Sequence, residues 1–173
     1  KKLRDKNINS HKIDSEILLS KALNQTREKI LINLDKKIEP KKISGFYKFI
    51  QRRSSKEPIA YILKKKEFWS KNFIVDYNTL IPRPETELMV EKIVKIFKTK
   101  DIYVLDIGTG SGCILLSILS ELKNSKGIGI DLSSKTIRIA NANLKKHKLI
   151  QRAKFHKRSL DEIHHIKFDL IVS

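Results

Sequence analysis

Glycine occupies every second position of a short segment, Gly108-Thr109-Gly110-Ser111-Gly112, that follows an apolar run. Glycine lets backbone N–H groups approach a ligand closely and lets the next helix pack tightly on the preceding strand. Asp131 ends the next apolar run, 19 residues after Gly112. An acidic side chain in that place can accept hydrogen bonds from both hydroxyls of a ribose. Together, the loop and the acid predict a site for an adenosine-containing cofactor.

The spacing of the glycines distinguishes between classes of cofactor. Dinucleotide-binding loops have the spacing Gly-x-Gly-x-x-Gly, and a phosphate-binding loop needs Gly-Lys-Ser/Thr, whereas this chain has Gly-x-Gly-x-Gly. Asp106, two residues before the first glycine, would repel a pyrophosphate but suits an ammonium group. The pattern therefore favours S-adenosylmethionine and a class I methyltransferase over a dehydrogenase. The alternative, in which the glycines serve only packing, is disfavoured because one glycine would suffice for it.

Apolar runs and helical patterns alternate around this loop. We predict strands at 102–106, 127–131, 154–157 and 168–172, with helices at 113–122 and 133–147 between them. Such alternation indicates parallel βαβ units covered on both faces. The predicted fold class is therefore α/β: a Rossmann-like class I S-adenosylmethionine-dependent methyltransferase domain.

The first half of the chain has a different pattern. Helical spacing of apolar residues predicts helices at about 10–23 and 26–34, and a third that begins near Pro40. Segments 59–63 and 67–76 are rich in β-branched and aromatic residues, which predicts a β-hairpin, and a helix is expected at 85–98. We therefore predict a helical domain at 1–56, a β-hairpin linker at 57–84 and the start of the methyltransferase domain at 85–173.

The composition allows two interpretations of the charge. Lys and Arg number 37 and Asp and Glu 19, so the net charge is +18. This excess could attract nucleic acid or an acidic protein. Because 29 of the basic residues are Lys and only 8 are Arg, compositional drift explains most of it. One cysteine and the lack of a secretory segment fit a reducing, cytoplasmic setting. The sequence has no stretch of about 18 apolar residues, so no membrane span is predicted.

Both ends of the sequence suggest a fragment. The chain begins at Lys1, its only methionine is Met89, and it ends in an apolar run, Phe168 to Ser173, without a turn. We therefore expect the chain to stop within a domain.

Three segments together resemble one family. They are Glu57-Pro58-Ile59-Ala60-Tyr61 with Glu67-Phe68-Trp69, then Leu80-Ile81-Pro82-Arg83-Pro84-Glu85-Thr86-Glu87, then the glycine loop. The chain resembles the HemK-type release factor glutamine methyltransferases over essentially its whole length. The resemblance implies methyl transfer from S-adenosylmethionine to the side-chain amide nitrogen of the glutamine in a Gly-Gly-Gln motif of peptide chain release factors.

The resemblance also implies that the helical domain at 1–56 is a substrate-recognition domain, and it implies roles for particular residues. Gly108, Thr109, Gly110, Ser111 and Gly112 match the cofactor loop, Asp131 matches the ribose acid, and Asp106, Ser159 and Leu160 are further candidate cofactor-binding residues. The segment that contains Arg83, Pro84, Glu85 and Glu87 matches one near the substrate entrance. The family's Asn-Pro-Pro-Tyr loop, which holds the substrate amide, is expected after Ser173. No catalytic residue is therefore expected among the 173.

Two departures from the family pattern concern the cofactor site and the hairpin. The family has Ser-Asp-aromatic after the third strand, where this chain has Arg158-Ser159-Leu160; Asp161 supplies an acid only if the alignment shifts. A family glycine in the hairpin is replaced by Lys64. Adenine binding is therefore expected to be looser or made by other groups.

The remaining candidates are assigned structural roles. Cys113 is expected to be a buried small side chain, Trp69 a hairpin core residue, and His164-His165 an exposed pair without the further ligands that a metal site needs. Two other functions stay open: a methyltransferase that acts on nucleic acid, and an inactive truncated module.

Overall fold

The computed structural model describes residues 1–33, 35–164 and 166–173, apart from the side chains of Lys41 and Lys42. Leu34, which ends the predicted helix at 26–34, and His165 lie outside the described residues. The chain divides into two compact units, Lys1–Lys64 and Lys65–Ser173.

The first unit is helical in the part of the chain that the structure describes. Its helices are α1 (Lys2–Asp5), α2 (His11–Leu23), α3 (Arg27–Ile32), α4 (Pro40–Ser54) and α5 (Ile59–Leu63). The apolar faces of α1, α2, α4 and α5 meet in one core that contains Leu3, Ile8, Leu18, Ile50 and Ile62. The predicted helices at 10–23 and from Pro40 are confirmed, and Pro40 opens α4 because proline needs no N–H partner there.

Ion pairs organise the end of α4. Arg52 donates two hydrogen bonds to the Glu57 carboxylate, which raises the pKa of Arg52 and lowers that of Glu57. Arg53 donates from Nε to Asp14 Oδ2 at 2.6 Å, and Asp14 is buried. A buried carboxylate needs such a partner, because an unpaired one costs several kcal/mol. The two arginines thus join α4 to α2 and to the residues before α5.

The prediction of a strand at 59–63 is wrong, because these residues form α5. Pro58 precedes the helix, and its carbonyl accepts hydrogen bonds from the N–H groups of Tyr61 and Ile62, at 3.0 and 3.2 Å. The β-branched and aromatic composition of these residues favours a strand. The helix forms instead because it buries Ile62 in the core of the first unit. The helix ends at Lys64, which has a left-handed φ of 54°.

The hairpin is shorter than predicted. Strands β1 (Lys66–Phe68) and β2 (Lys71–Phe73) pair antiparallel across a two-residue turn. The turn residues Trp69 and Ser70 have φ values of 51° and 53°, as a tight hairpin turn requires.

The rest of the second unit is an α/β layer structure, which confirms the predicted fold class. Helix α6 spans Glu85–Ile96, and β3 (Tyr103–Ile107), α7 (Cys113–Glu121), β4 (Lys126–Asp131), α8 (Ser134–Lys146), β5 (Ala153–Lys157) and β6 (Leu170–Val172) follow. The four strands form a parallel sheet in the order β5-β4-β3-β6. Ser133 caps α8 by accepting a hydrogen bond from the N–H of Thr136.

The order of the strands places a crevice at one edge of the sheet. From β3 the chain moves outward through β4 to β5 and then returns to the opposite side of β3 as β6. Ligands of open parallel sheets bind at the carboxyl ends of the strands where this reversal occurs. The glycine loop follows β3 directly and therefore lies at that point. No described helix is long and apolar enough to cross a bilayer.

Candidate cofactor site

All three glycines of the loop adopt left-handed backbone conformations. Their φ values are 68° at Gly108, 56° at Gly110 and 78° at Gly112. Residues other than glycine adopt this left-handed conformation at a cost of about 1–2 kcal/mol each. The alternating pattern seen in the sequence is therefore the backbone requirement of this turn.

The loop glycines differ in what surrounds them. A Cβ at Gly112 would lie 2.7 Å from Cζ of Phe155, so this glycine lets α7 approach the sheet. A Cβ at Gly108 would meet no atom within 4 Å. Gly108 therefore presents its backbone to open space, as a loop that binds a ligand through its main chain requires. Packing alone thus accounts for Gly112 but not for Gly108.

Asp131 holds the loop in place. Its Oδ2 accepts a hydrogen bond from the N–H of Gly110 at 3.2 Å, and its Oδ1 accepts one from the N–H of Ser133 at 3.0 Å. The backbone N–H of Thr109 donates to the carbonyl of Ile130 at 2.9 Å. A carboxylate has about four acceptor positions, so Asp131 can accept further hydrogen bonds from a ligand.

Asp106 lies beneath the loop and not on its open side. It is 1% exposed, and its Oδ2 accepts a hydrogen bond from the hydroxyl of Thr109 at 2.6 Å. Burial raises the pKa of Asp106 to about 7, against the lowering effect of the Thr109 hydrogen bond. Its Oδ1 and the hydroxyl of Ser111 are buried without a hydrogen-bond partner in the described structure. The carboxylate of Asp106 therefore holds Thr109 of the loop from the interior.

A cavity of about 310 Å³ opens at the carboxyl ends of β3, β4 and β5. Four of the predicted cofactor-binding residues meet there: Gly108, Asp131, Ser159 and Leu160. The remaining walls come from Ile107, Ile130, Leu132 and Arg158. Sequence reasoning did not assign Leu132 and Arg158 to the site. Their positions next to Asp131 and Ser159 are the signal that could have found them.

Leu132 and Leu160 give the cavity an apolar rim. They are 72% and 51% exposed. Ser159 and Glu162 form a capping box around the short 3₁₀ turn Leu160–Glu162. Asp161 lies in this turn and is exposed. The segment after β5 thus supplies an apolar side chain and a cation to the site, in place of the acid and ring of the family pattern.

The segment from Arg83 to Glu87 opens α6. Arg83, Pro84 and Glu85 are exposed, and Pro84 occupies the N-cap position. Glu87 has a structural contact, because its Oε1 accepts a hydrogen bond from the N–H of Trp69 at 2.8 Å. The proximity of this segment to substrate stays a prediction.

Trp69 lies in the hairpin turn and is partly buried against the core. Its indole Nε1 donates to Glu121 at 3.0 Å. Trp69 therefore links the turn to the end of α7.

Cys113 begins α7 and is buried, and burial raises the pKa of its thiol to about 12. The thiolate is therefore scarce at neutral pH, and Cys113 is unsuited to act as a nucleophile. Among residues 1–33, 35–164 and 166–173, no three His, Cys, Asp or Glu side chains cluster as a metal site would require.

Two family models match the chain. The model of the PrmC N-terminal domain matches residues 1–63, and a methyltransferase domain model matches residues 98–173. The glycine loop, Asp131 and the segment after β5 all fall within the second match.

Curated relatives match most of the chain. The release factor glutamine methyltransferase of Buchnera aphidicola subsp. Schizaphis graminum is 42% identical over 92% of this chain and 58% of its own length. That of subsp. Baizongia pistaciae is 40% identical over 97% of this chain and 61% of its own length. A bifunctional methyltransferase of Rickettsia typhi is 36% identical over 99% of this chain but only 37% of its own length. The chain thus spans between about one third and three fifths of these relatives.

One solved structure supports the fold. In the complex of aTrm5 with tRNALeu, the matched chain has a TM-score of 0.52 and 19% sequence identity, over 62% of this chain and 31% of that one. This likeness concerns the α/β architecture.

Proposed function

We propose that the chain takes part in the methylation of a release factor glutamine, because it belongs to the family of HemK-type release factor glutamine methyltransferases. The acceptor would be the side-chain amide nitrogen of the glutamine in the Gly-Gly-Gln motif. The observation that carries this proposal is the match of 92–97% of the chain, at 40–42% identity, to relatives named for that activity. The methyltransferase domain match agrees with it.

The residues present fit S-adenosylmethionine as cofactor. When bound, this cofactor supplies an activated methyl group on a sulfonium. Gly108 would contribute exposed backbone, and Asp131 would accept hydrogen bonds from ribose hydroxyls with the lone pairs that Gly110 and Ser133 leave free. Leu132 and Leu160 would cover an apolar face of the adenosine.

The electrostatics of Asp106 also suit a cationic ligand. Its buried Oδ1 lacks a partner, and burial holds its pKa near 7. A positive charge bound at the loop would favour the ionised carboxylate and lower this pKa. A negatively charged pyrophosphate would have the opposite effect. The charge of Asp106 would therefore attract a cofactor with an ammonium and a sulfonium and repel a dinucleotide.

The acceptor nitrogen needs positioning more than strong base catalysis. An amide nitrogen is a poor nucleophile because its lone pair is delocalised, so a fixed geometry would supply much of the rate. The resemblance assigns this task to the asparagine of an Asn-Pro-Pro-Tyr loop, and the 173 residues contain no such segment. We expect residues 1–173 alone to bind the cofactor without transferring its methyl group.

A second candidate function is methylation of nucleic acid. It is favoured by the net charge of +18, which would attract the phosphate backbone. Against it, Lys supplies most of the charge, and Lys is a weaker reader of base edges than Arg.

The test is transfer of labelled methyl groups by the full-length protein. We would supply methyl-labelled S-adenosylmethionine with a release factor, with the same factor carrying alanine for the Gly-Gly-Gln glutamine, or with tRNA. We expect label on the unmodified release factor alone. Label on tRNA alone would refute the proposal and establish the second candidate.

A matched pair of variants ties the activity to the described site. Asp131→Asn should weaken the affinity for the cofactor at least tenfold. The amide offers fewer acceptor positions to a ribose, and its NH₂ group would face one of the N–H groups of Gly110 and Ser133 that now donate to the carboxylate. Asp161→Asn removes an exposed carboxylate of the neighbouring turn and should change it less than twofold. Equal effects of the two changes would contradict the assigned role of Asp131.

A further inference from the structure

Asn143, in the C-terminal half of α8, has a fully buried side chain that makes three hydrogen bonds to backbone atoms. Its Oδ1 accepts from the N–H of Ile74 at 2.7 Å, and its Nδ2 donates to the carbonyl of Ile74 at 3.0 Å. The second hydrogen of Nδ2 is donated to the carbonyl of Ser111 at 2.8 Å. The side chain is 0% exposed.

The two bonds to Ile74 resemble pairing between neighbouring strands. Ile74 follows directly after β2, and the Asn143 amide satisfies both its N–H and its carbonyl, as a backbone partner in a sheet would. Farther along the same segment, Thr136 donates from its hydroxyl to the carbonyl of Asn78 at 2.8 Å. Helix α8 therefore holds the segment 74–79 at two points.

The third bond of Asn143 reaches the cofactor loop. Ser111 lies between Gly110 and Gly112 and is 2% exposed, so its carbonyl has little access to water. Since an amide group is planar, a displacement of the Ser111 carbonyl tilts the plane that also serves Ile74. One rigid group thus links the loop to the segment that leads toward Arg83.

We propose that Asn143 is a positioning residue that couples the glycine loop to segment 74–79, so that cofactor binding at the loop stabilises this segment against local opening. The inference rests on the proposed function, because it requires that the loop bind S-adenosylmethionine or its product. The segment continues into the stretch for which a position near substrate is predicted. Coupling would make the geometry of that stretch depend on the bound cofactor.

Hydrogen exchange in the unmodified chain tests the coupling directly. The N–H of Ile74 is bonded to the Asn143 side chain, so its exchange rate reports that contact. With saturating S-adenosylhomocysteine as the probe, we expect exchange at Ile74 to slow at least threefold. Unchanged exchange at Ile74 while the probe is bound would overturn the inference.

A matched pair of asparagines on α8 provides the variant test. Asn143→Asp keeps the shape of the side chain but removes the two N–H donors of Nδ2, so that a carboxylate oxygen faces the carbonyls of Ile74 and Ser111. Because these oxygens repel one another, we expect at least tenfold weaker binding of S-adenosylhomocysteine. Asn141 donates only to the carbonyl of Ile137 in its own helix, at 3.0 Å. Asn141→Asp should change binding less than twofold and leave the protection of Ile74 in place.

The outcomes separate this inference from the proposed function. Equal affinities of a folded Asn143→Asp variant and the unmodified chain would overturn the coupling alone. If that variant does not fold, the exchange measurement on the unmodified chain decides the matter. Failure of the unmodified chain to bind the probe would overturn the proposed function, and this inference with it.

Discussion

Replacement of Asp106 by asparagine should change how the stability of the protein depends on pH. The carboxyl group is fully buried beneath the glycine loop, and burial raises its pKa from 3.8 to about 7. In the unfolded chain the group is exposed to water and titrates near its ordinary value. The folded state therefore binds a proton between about pH 4 and pH 7, where the unfolded state has released it.

The sign and size of the effect follow from this difference. Below pH 4 the group is protonated in both states and carries no penalty, and as the pH rises through 7 folding must bury a carboxylate. Three pKa units correspond to about 4 kcal/mol, so stability should fall by that order between pH 4 and pH 8. Asp106→Asn removes this loss and can still accept the Thr109 hydrogen bond.

Urea unfolding of both proteins at pH 4, 6 and 8 measures the effect. The variant should gain up to about 4 kcal/mol relative to the unmodified chain between the lowest and highest pH. Other carboxyl groups with altered pKa values, such as Glu57, are common to both proteins and cancel in the comparison. Any fixed cost of the new amide is independent of pH. A difference in stability that stays constant from pH 4 to pH 8 would refute the reasoning.

Three further predictions concern packing, backbone conformation and reactivity. Gly129→Ala should destabilise the fold by about 1–3 kcal/mol, because the new Cβ would lie 2.5 Å from ring atoms of Phe155. As a control, Gly45→Ala places its Cβ where no atom lies within 4 Å, so thermal unfolding should show a neutral or stabilising effect. Lys64→Gly should raise the free energy of unfolding by about 0.5–1 kcal/mol, since φ is 54° at this position, and a lower unfolding midpoint would contradict this. Cys113 should resist iodoacetamide at pH 8 until the chain unfolds, because the pKa of its thiol is raised to about 12; rapid labelling of the folded chain would count against its burial.

The parallel sheet and the glycine loop were predictable because their signals are local. Strands β3 and β6 are short apolar runs, whereas β5 alternates buried Ala153 and Phe155 with polar residues. A left-handed turn that opens a helix leaves alternating glycines in the sequence. Capping of α8 by Ser133 is local for the same reason.

The errors and omissions come from contacts between distant residues. Segment 59–63 has the composition of a strand, yet it folds as a helix that buries Ile62 in the core of the first unit. The support of the loop by Asn143 joins residues 69 and 32 positions apart, and nothing in the spacing of the sequence marks it.

Predicted site residues also differ in the detail of their roles. Asp106 was expected beside a ligand, but strand β3 places its side chain in the interior. Glu87 was assigned to the substrate entrance, and its carboxylate binds the turn at Trp69. Residue type and motif predict which segments form a site. The direction of each side chain depends on the packing of the strand or helix that carries it.

Calorimetric titration of the 173-residue chain with S-adenosylmethionine tests the central claim most directly. The account predicts one binding site, with affinity reduced at least tenfold by Asp131→Asn and nearly unchanged by Asp161→Asn. Saturable binding that is equally strong in all three proteins would place the cofactor away from the glycine loop. The absence of binding by the folded, unmodified chain would contradict the account.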